Sequence, residues 1–127
     1  MKVRALLKEQ KDLLNFSEEV ILSFESARKM AKLIQKINEI TEPFIIQLQE
    51  LEYKYGQKNE NNELLKTADG SCPLIPGKEE EYSNIVNPIL DKEINFTISP
   101  IFTNKDFRNI NIRPTMVLML MDYKLLD

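Results

Sequence analysis

The chain has no histidine, no tryptophan, one cysteine and three glycines. Each shortage closes off some chemistry. Without imidazole there is no Ser-His or Cys-His nucleophile pair and no ordinary zinc centre. Catalysis would have to rest on carboxylates, lysines, tyrosines or Cys72, so an enzyme is not expected, nor is a cofactor. A lone cysteine cannot close an internal disulfide, which suits a reducing compartment such as the cytoplasm. No apolar run is long enough to span a bilayer, and Met1-Lys2-Val3-Arg4 opens onto charged amphipathic sequence unlike a signal peptide. The net charge of −3 gives no general pull toward nucleic acid or an anionic membrane, so neither is an expected partner.

What remains is an ordinary folded composition, 43% hydrophobic and 29% charged, in 127 residues that fit one domain. Its organising stretch runs from Ser23 to Gly56. Met30, Ile37, Phe44 and Leu51 recur every seven positions, beside a second row of Leu33, Ile34, Ile40, Leu48 and Tyr55 that drifts by one place. That drift is what a nearly straight helix of 3.6 residues per turn produces. Ser23 or Ser26 can cap its start, and Gly56 stands where a left-handed terminal residue is wanted. Pro43 removes one hydrogen bond, but the apolar spacing continues across it, so a kink is expected; the rival is two helices, 24–41 and 43–55. Met30, Ile37, Phe44, Leu48 and Leu51 are expected to be buried against the first and last helices.

Before this helix, Leu6, Leu7, Leu13 and Leu14 mark an amphipathic helix over 2–15, with Asn15-Phe16-Ser17 as a break and Ser17 as a fresh N-cap. After it the period disappears. Asp69-Gly70 predicts a type I′ hairpin with arms 64–67 and 71–75, inside a protruding, mobile segment at about 57–77. Pro73 makes the second arm an edge. Glu79-Glu80-Glu81 opens another helix, with Tyr82, Ile85, Val86, Ile89 and Leu90 as its inner face. Residues 93–98 alternate polar and apolar like a half-buried strand, and 103–109 allow one helical turn. Pro114 stands at the first position of a last helix reaching Leu126, apolar nearly all round and therefore deeply packed or docked on another subunit. The fold class is mainly α with a small β component.

Candidate chemistry is sparse. Arg28, Lys29, Lys32 and Lys36 lie near the start of the long helix, where free N–H groups and the dipole also favour an anion such as phosphate. A solvated helix face is the alternative, and no Gly-rich loop precedes it. Cys72 reads as a small core residue, because only Lys66 and Lys78 are near it in sequence. Glu79, Glu80 and Glu81 point in different directions and do not converge on a metal. The long helix carries its cations early and its acids, Glu39, Glu42, Glu50 and Glu52, late, against its own dipole. An antiparallel copy with a two-fold axis near Ile40 would set Arg28 opposite Glu52, with Lys32, Lys36 and Glu50 in the same interface.

Taken in order, these elements resemble a family of small bacteriophage proteins of unknown function. The likeness is carried by the leucine-rich start, the entry Ser26-Ala27-Arg28-Lys29, the helix end Tyr55-Gly56 with the acidic turn-rich stretch after it, the acidic helix and short strand, and Ile112-Arg113-Pro114-Thr115. Pro43-Phe44-Ile45-Ile46 departs from the more charged helix middle of that family. The resemblance implies a phage-encoded accessory protein and assigns no catalytic residue. The expected function is contact with another protein, as a phage assembly component or an antagonist of a host protein, in the host cytoplasm or the virion. The competing expectation is a binder of a phosphorylated or nucleotide ligand through Arg28, Lys29 and Lys32.

Overall fold

In the computed structural model, which describes residues 1–127, four α-helices follow one another: α1 (Val3–Glu19), α2 (Phe24–Tyr55), α3 (Glu79–Leu90) and α4 (Pro114–Asp122). One 3-10 turn, Asn104–Phe107, precedes α4. The β component is four isolated bridges, so the chain is mainly helical. Contacts group into two compact units, Met1–Thr41 with Glu93–Asp127, and Glu42–Lys92; α2 contributes to both.

The first unit holds the hydrophobic core. Val3, Leu6, Leu13 and Phe16 recur on α1 at three- and seven-residue steps and are buried. Leu6, Leu13 and Phe16 pack with Met30, Leu33 and Ile37 of α2, Leu120 of α4, and Phe96, Phe102 and Leu125 from the C-terminal stretch. The expected break at 15–17 does not occur. Phe16 sits in the core at 1% exposure, and the Ser17 hydroxyl donates back to the Leu13 carbonyl at 2.9 Å, as a mid-helix serine does. With the face centred there, Leu14 turns outward. Gln10 donates its side-chain N–H to Asn38, tying α1 to α2 through a second, polar contact.

Two expectations about the C-terminal stretch need correction. Residues 94–98 keep the alternation, with Ile94, Phe96 and Ile98 inward, but only Glu93 forms a bridge, to Lys2. The strand periodicity reports which side chains are covered, without a ladder. The last helix stops at Asp122, four residues early. Lys124 takes a left-handed φ of 59°, its N–H bonds to the Met121 carbonyl at 3.0 Å, and the Leu125 N–H reaches Leu120 at 2.8 Å. This is a paired helix stop usually built on glycine. It buries Leu125 and sends Leu126 back beside Phe102 as a parallel bridge. The helix is not buried all round either: Leu118 and Met121 are more than half exposed.

In the second unit α2 runs through Pro43 without interruption, so the two-helix rival is excluded. Phe44, Leu48 and Leu51 are only half buried, and they belong to this unit and not to the core cluster with the first and last helices. Tyr55 and Val86 are its only fully buried apolar side chains. Tyr55 packs edge-on against Tyr82 of α3 and donates its hydroxyl to Glu81 at 3.0 Å. On α3, Ile85 turns out to be exposed.

Gly56 has no positive φ, so a left-handed helix end is not its role. A Cβ there would lie 2.6 Å from Cys72 Sγ and from the Glu52 carbonyl oxygen, and 2.8 Å from Leu64. Close approach demands the glycine. The reason is that residues 56–58, expected as loop, form a middle rail: Gly56 bridges Leu74 on one side and Lys58 bridges Leu64 on the other. The two arms of the expected hairpin therefore pair with this rail. Between them Asp69 is not left-handed; Gly70 is, at φ 83°, and the Thr67 N–H bonds to the Ser71 carbonyl at 2.8 Å. This is a three-residue connection in place of the type I′ turn.

Truncation should separate the two parts of α2. Ile37→Ala, at a position with no exposure, should cost about 2–5 kcal/mol. Phe44→Ala, half buried, should cost about 1–2 kcal/mol. Urea unfolding of both variants checks this; an equal or larger loss for Phe44→Ala would contradict the assignment.

Candidate functional site

Three places on the first unit combine shape with chemistry. The first is a groove of about 600 Å³ between the end of α1 and the start of α2. Ser17, Val20, Ile21 and Leu22 form one side. Ala27, Met30, Ala31, Ile34, Gln35 and Asn38 form the other. None of these carries a charge. Two alanines one turn apart leave the depression that larger side chains would fill. Ile21 of this lining is 90% exposed, and beside the groove Phe24, the first residue of α2, is 78% exposed, a high cost in hydration for two residues so close in the chain.

The second place is the start of α2. Ser23 is the N-cap: its carbonyl accepts from Ala27 N–H at 2.8 Å and its hydroxyl oxygen from Ser26 N–H at 3.4 Å. An anion does lie against this end of the helix, and it is the chain's own. The Asp106 carboxylate accepts from the buried Ser26 hydroxyl at 2.7 Å, from Lys29 Nζ at 3.0 Å and from the Thr103 N–H at 2.8 Å. Burial alone would raise the Asp106 pKa, but these donors outweigh it and hold the carboxyl below its ordinary value. Of the residues considered for a phosphate, Lys29 is thus engaged internally, while Arg28 is exposed and forms no ion pair.

The third place is a depression of about 320 Å³ on another side of α2. Lys29, Lys32 and Lys36 border it, above Leu33, Phe96 and Ile98. Lys36 Nζ stands 5.5 Å from the centre of the Phe96 ring. Arg28 does not line it. In the second unit, Glu52 pairs with Lys66 at 2.8 Å, which occupies the carboxylate expected to meet Arg28 of another copy. Glu50 is exposed. Cys72 is half buried, in contact distance of the Gly56 rail, and the Gln57 and Pro73 carbonyls accept from its thiol.

No family model, curated protein or solved structure matches the chain. The geometry must therefore carry the functional argument.

One group escaped the sequence reading altogether. Glu9 stands in the centre of the α1 core face at 1% exposure, and neither carboxylate oxygen has a hydrogen-bond partner. Burial, and then the neighbouring Asp12, raise its pKa to about 7. Asp12 in turn accepts from the Tyr123 hydroxyl, whose pKa burial and Asp12 push upward. The signal was the period: Leu6, Glu9 and Leu13 share one face, and the acid interrupts it.

Both carboxylates give pH predictions of opposite sign. The lowered Asp106 pKa means that its contribution is present above the unfolded value of 3.8 and is lost as pH falls through the folded value. Asp106→Ala should cost about 2–3 kcal/mol near neutral pH and clearly less in acid. A pH-independent loss in urea titrations would contradict the charge-assisted contact. For Glu9 the raised pKa means that stability is fully present below 4.5 and falls as pH rises to about 7. The fall should be about 3 kcal/mol, and Glu9→Gln should remove most of it. Identical pH slopes for wild type and Glu9→Gln would refute the assignment.

Proposed function

We propose that this protein acts by holding another protein chain in the groove between α1 and α2, without catalysing a reaction. The observation that supports this is the groove's make-up: an uncharged depression of about 600 Å³ beside two apolar side chains left in water. Exposed apolar patches rimmed by polar residues mark interaction surfaces, and an apolar groove is a common seat for a partner helix. The resemblance to small phage proteins would make it a phage-encoded accessory protein, either an assembly component or an antagonist of a host protein. No helix is long and apolar enough to cross a membrane.

A second reading has its own observation. Lys32 and Lys36 border an apolar floor containing Phe96, an arrangement that would take an anion with a flat or apolar body, such as a nucleotide.

Two measurements separate them. Affinity capture from host lysate should recover a partner with the wild type and lose it with Ala31→Glu, which puts a charge into the groove at an exposed helix position. Capture unchanged by Ala31→Glu would overturn the groove reading. A nucleotide that raises the melting temperature by several degrees, with the gain abolished in Lys32→Ala, would instead favour the ligand reading.

A further inference from the structure

The groove's α2 side has features that identify an occupant. Phe24, Ala27 and Ala31, then Ile34 and Gln35 side by side, then Asn38 follow at steps of three or four, so they make one continuous stripe. It bears no charge, although Glu25, Arg28, Lys29, Lys32, Lys36 and Glu39 crowd the rest of the same helix. Ala27 and Ala31 would let a second helix backbone come close.

The flank beside the stripe carries Arg28 and Glu39. They are eleven positions apart, about three turns, so they project on the same side. Both are exposed, and neither has an ion-pair partner within the chain.

We propose that the groove is occupied by α2 of a second copy, antiparallel, with the two-fold axis passing between Leu33 and Ile34. A two-fold normal to both helices keeps the same flank of each copy on the same side. Arg28 of one copy then stands opposite Glu39 of the other, twice, and Lys32 stands opposite the neutral Gln35. Further out, Glu25 stands level with Glu42, the one like-charged pairing this register creates, at the two ends of the contact and away from its centre. The register differs from one centred near Ile40, which needs a Glu52 that Lys66 already holds. Paired rim charges of this kind select orientation and register, while the uncharged stripe supplies the contact area.

This proposal rests on the groove being a contact surface, and its test is separate from lysate capture. Sedimentation equilibrium at low salt should give a wild-type dimer. Arg28→Glu and Glu39→Arg should each raise the dissociation constant about tenfold or more, because each places like charges at two symmetric positions. Combining them should return it to within about threefold of wild type, since the double reversal restores both pairs. All three variants change exposed residues, and circular dichroism confirms their folding. A monomeric wild type at high concentration overturns the proposal, as does a double variant no better than the singles. If that monomer still loses its lysate partner on Ala31→Glu, a different chain fills the groove and the broader reading stands.

Discussion

A single carboxylate fixes the first unit in place. Residues 93–127 contain only one 3-10 turn and nine residues of α-helix, too little regular structure to organise themselves. Asp106 ties this stretch to the start of α2 through Ser26 and Lys29, and closes its own turn through Thr103. The position is electrostatically favourable because the free N–H groups and dipole of a long helix attract negative charge there. Beside Asp106, the Phe102 and Phe107 rings meet at a tilt with centres 5.2 Å apart, Phe107 meets Phe16 of α1 edge-on, and the core lies over α2. A basic helix entry that looks open to phosphate is, in the folded chain, half satisfied from within.

The parts of this structure legible in the sequence were those set by long-range period. The helix Phe24–Tyr55, its cap narrowed to Ser23 or Ser26, and the helical start at Glu79-Glu80-Glu81 all follow from spacing and end chemistry. What escaped was set by contacts between segments distant in sequence. Nothing local announces that Lys124 will take the left-handed position usually given to glycine; burying Leu125 and pairing with the Phe102 segment offset the strain there. Gly56 shows the converse. A glycine at a helix end suggested backbone conformation, whereas its function is to leave space for Cys72 and Leu64. The candidate lysines were found, but their division between an internal partner and an open depression depends on residues 96–106, far away in the chain.

Glu9 and the groove show the same economy from opposite sides. The core accepts an unpartnered acid, Glu9, at 1% exposure, while Ile21 and Phe24, more than three helical turns further along the chain, remain in water. Exchanging those environments would raise the stability of an isolated unit, since burying a carboxylate and exposing large apolar groups both oppose folding. Glu9 makes no hydrogen bond, and its place in the core follows from how α1 meets the end of α4, where Asp12 accepts from Tyr123 beside it. No such internal reason accounts for Ile21 and Phe24.

The charge pattern of α2 completes that argument. A helix face exposed only to water gains solubility from charged residues, and most of this helix follows that rule. The stripe from Phe24 to Asn38 does not, although it is among the more open parts of the surface: Ala27, Ala31, Gln35 and Asn38 are all exposed. Two alanines and two neutral amides in register, set between Arg28 and Glu39 on one edge and the apolar end of α1 on the other, gain less from water than the charged faces do. They would gain from a second helix, for which the alanines leave room and the two edge charges specify direction.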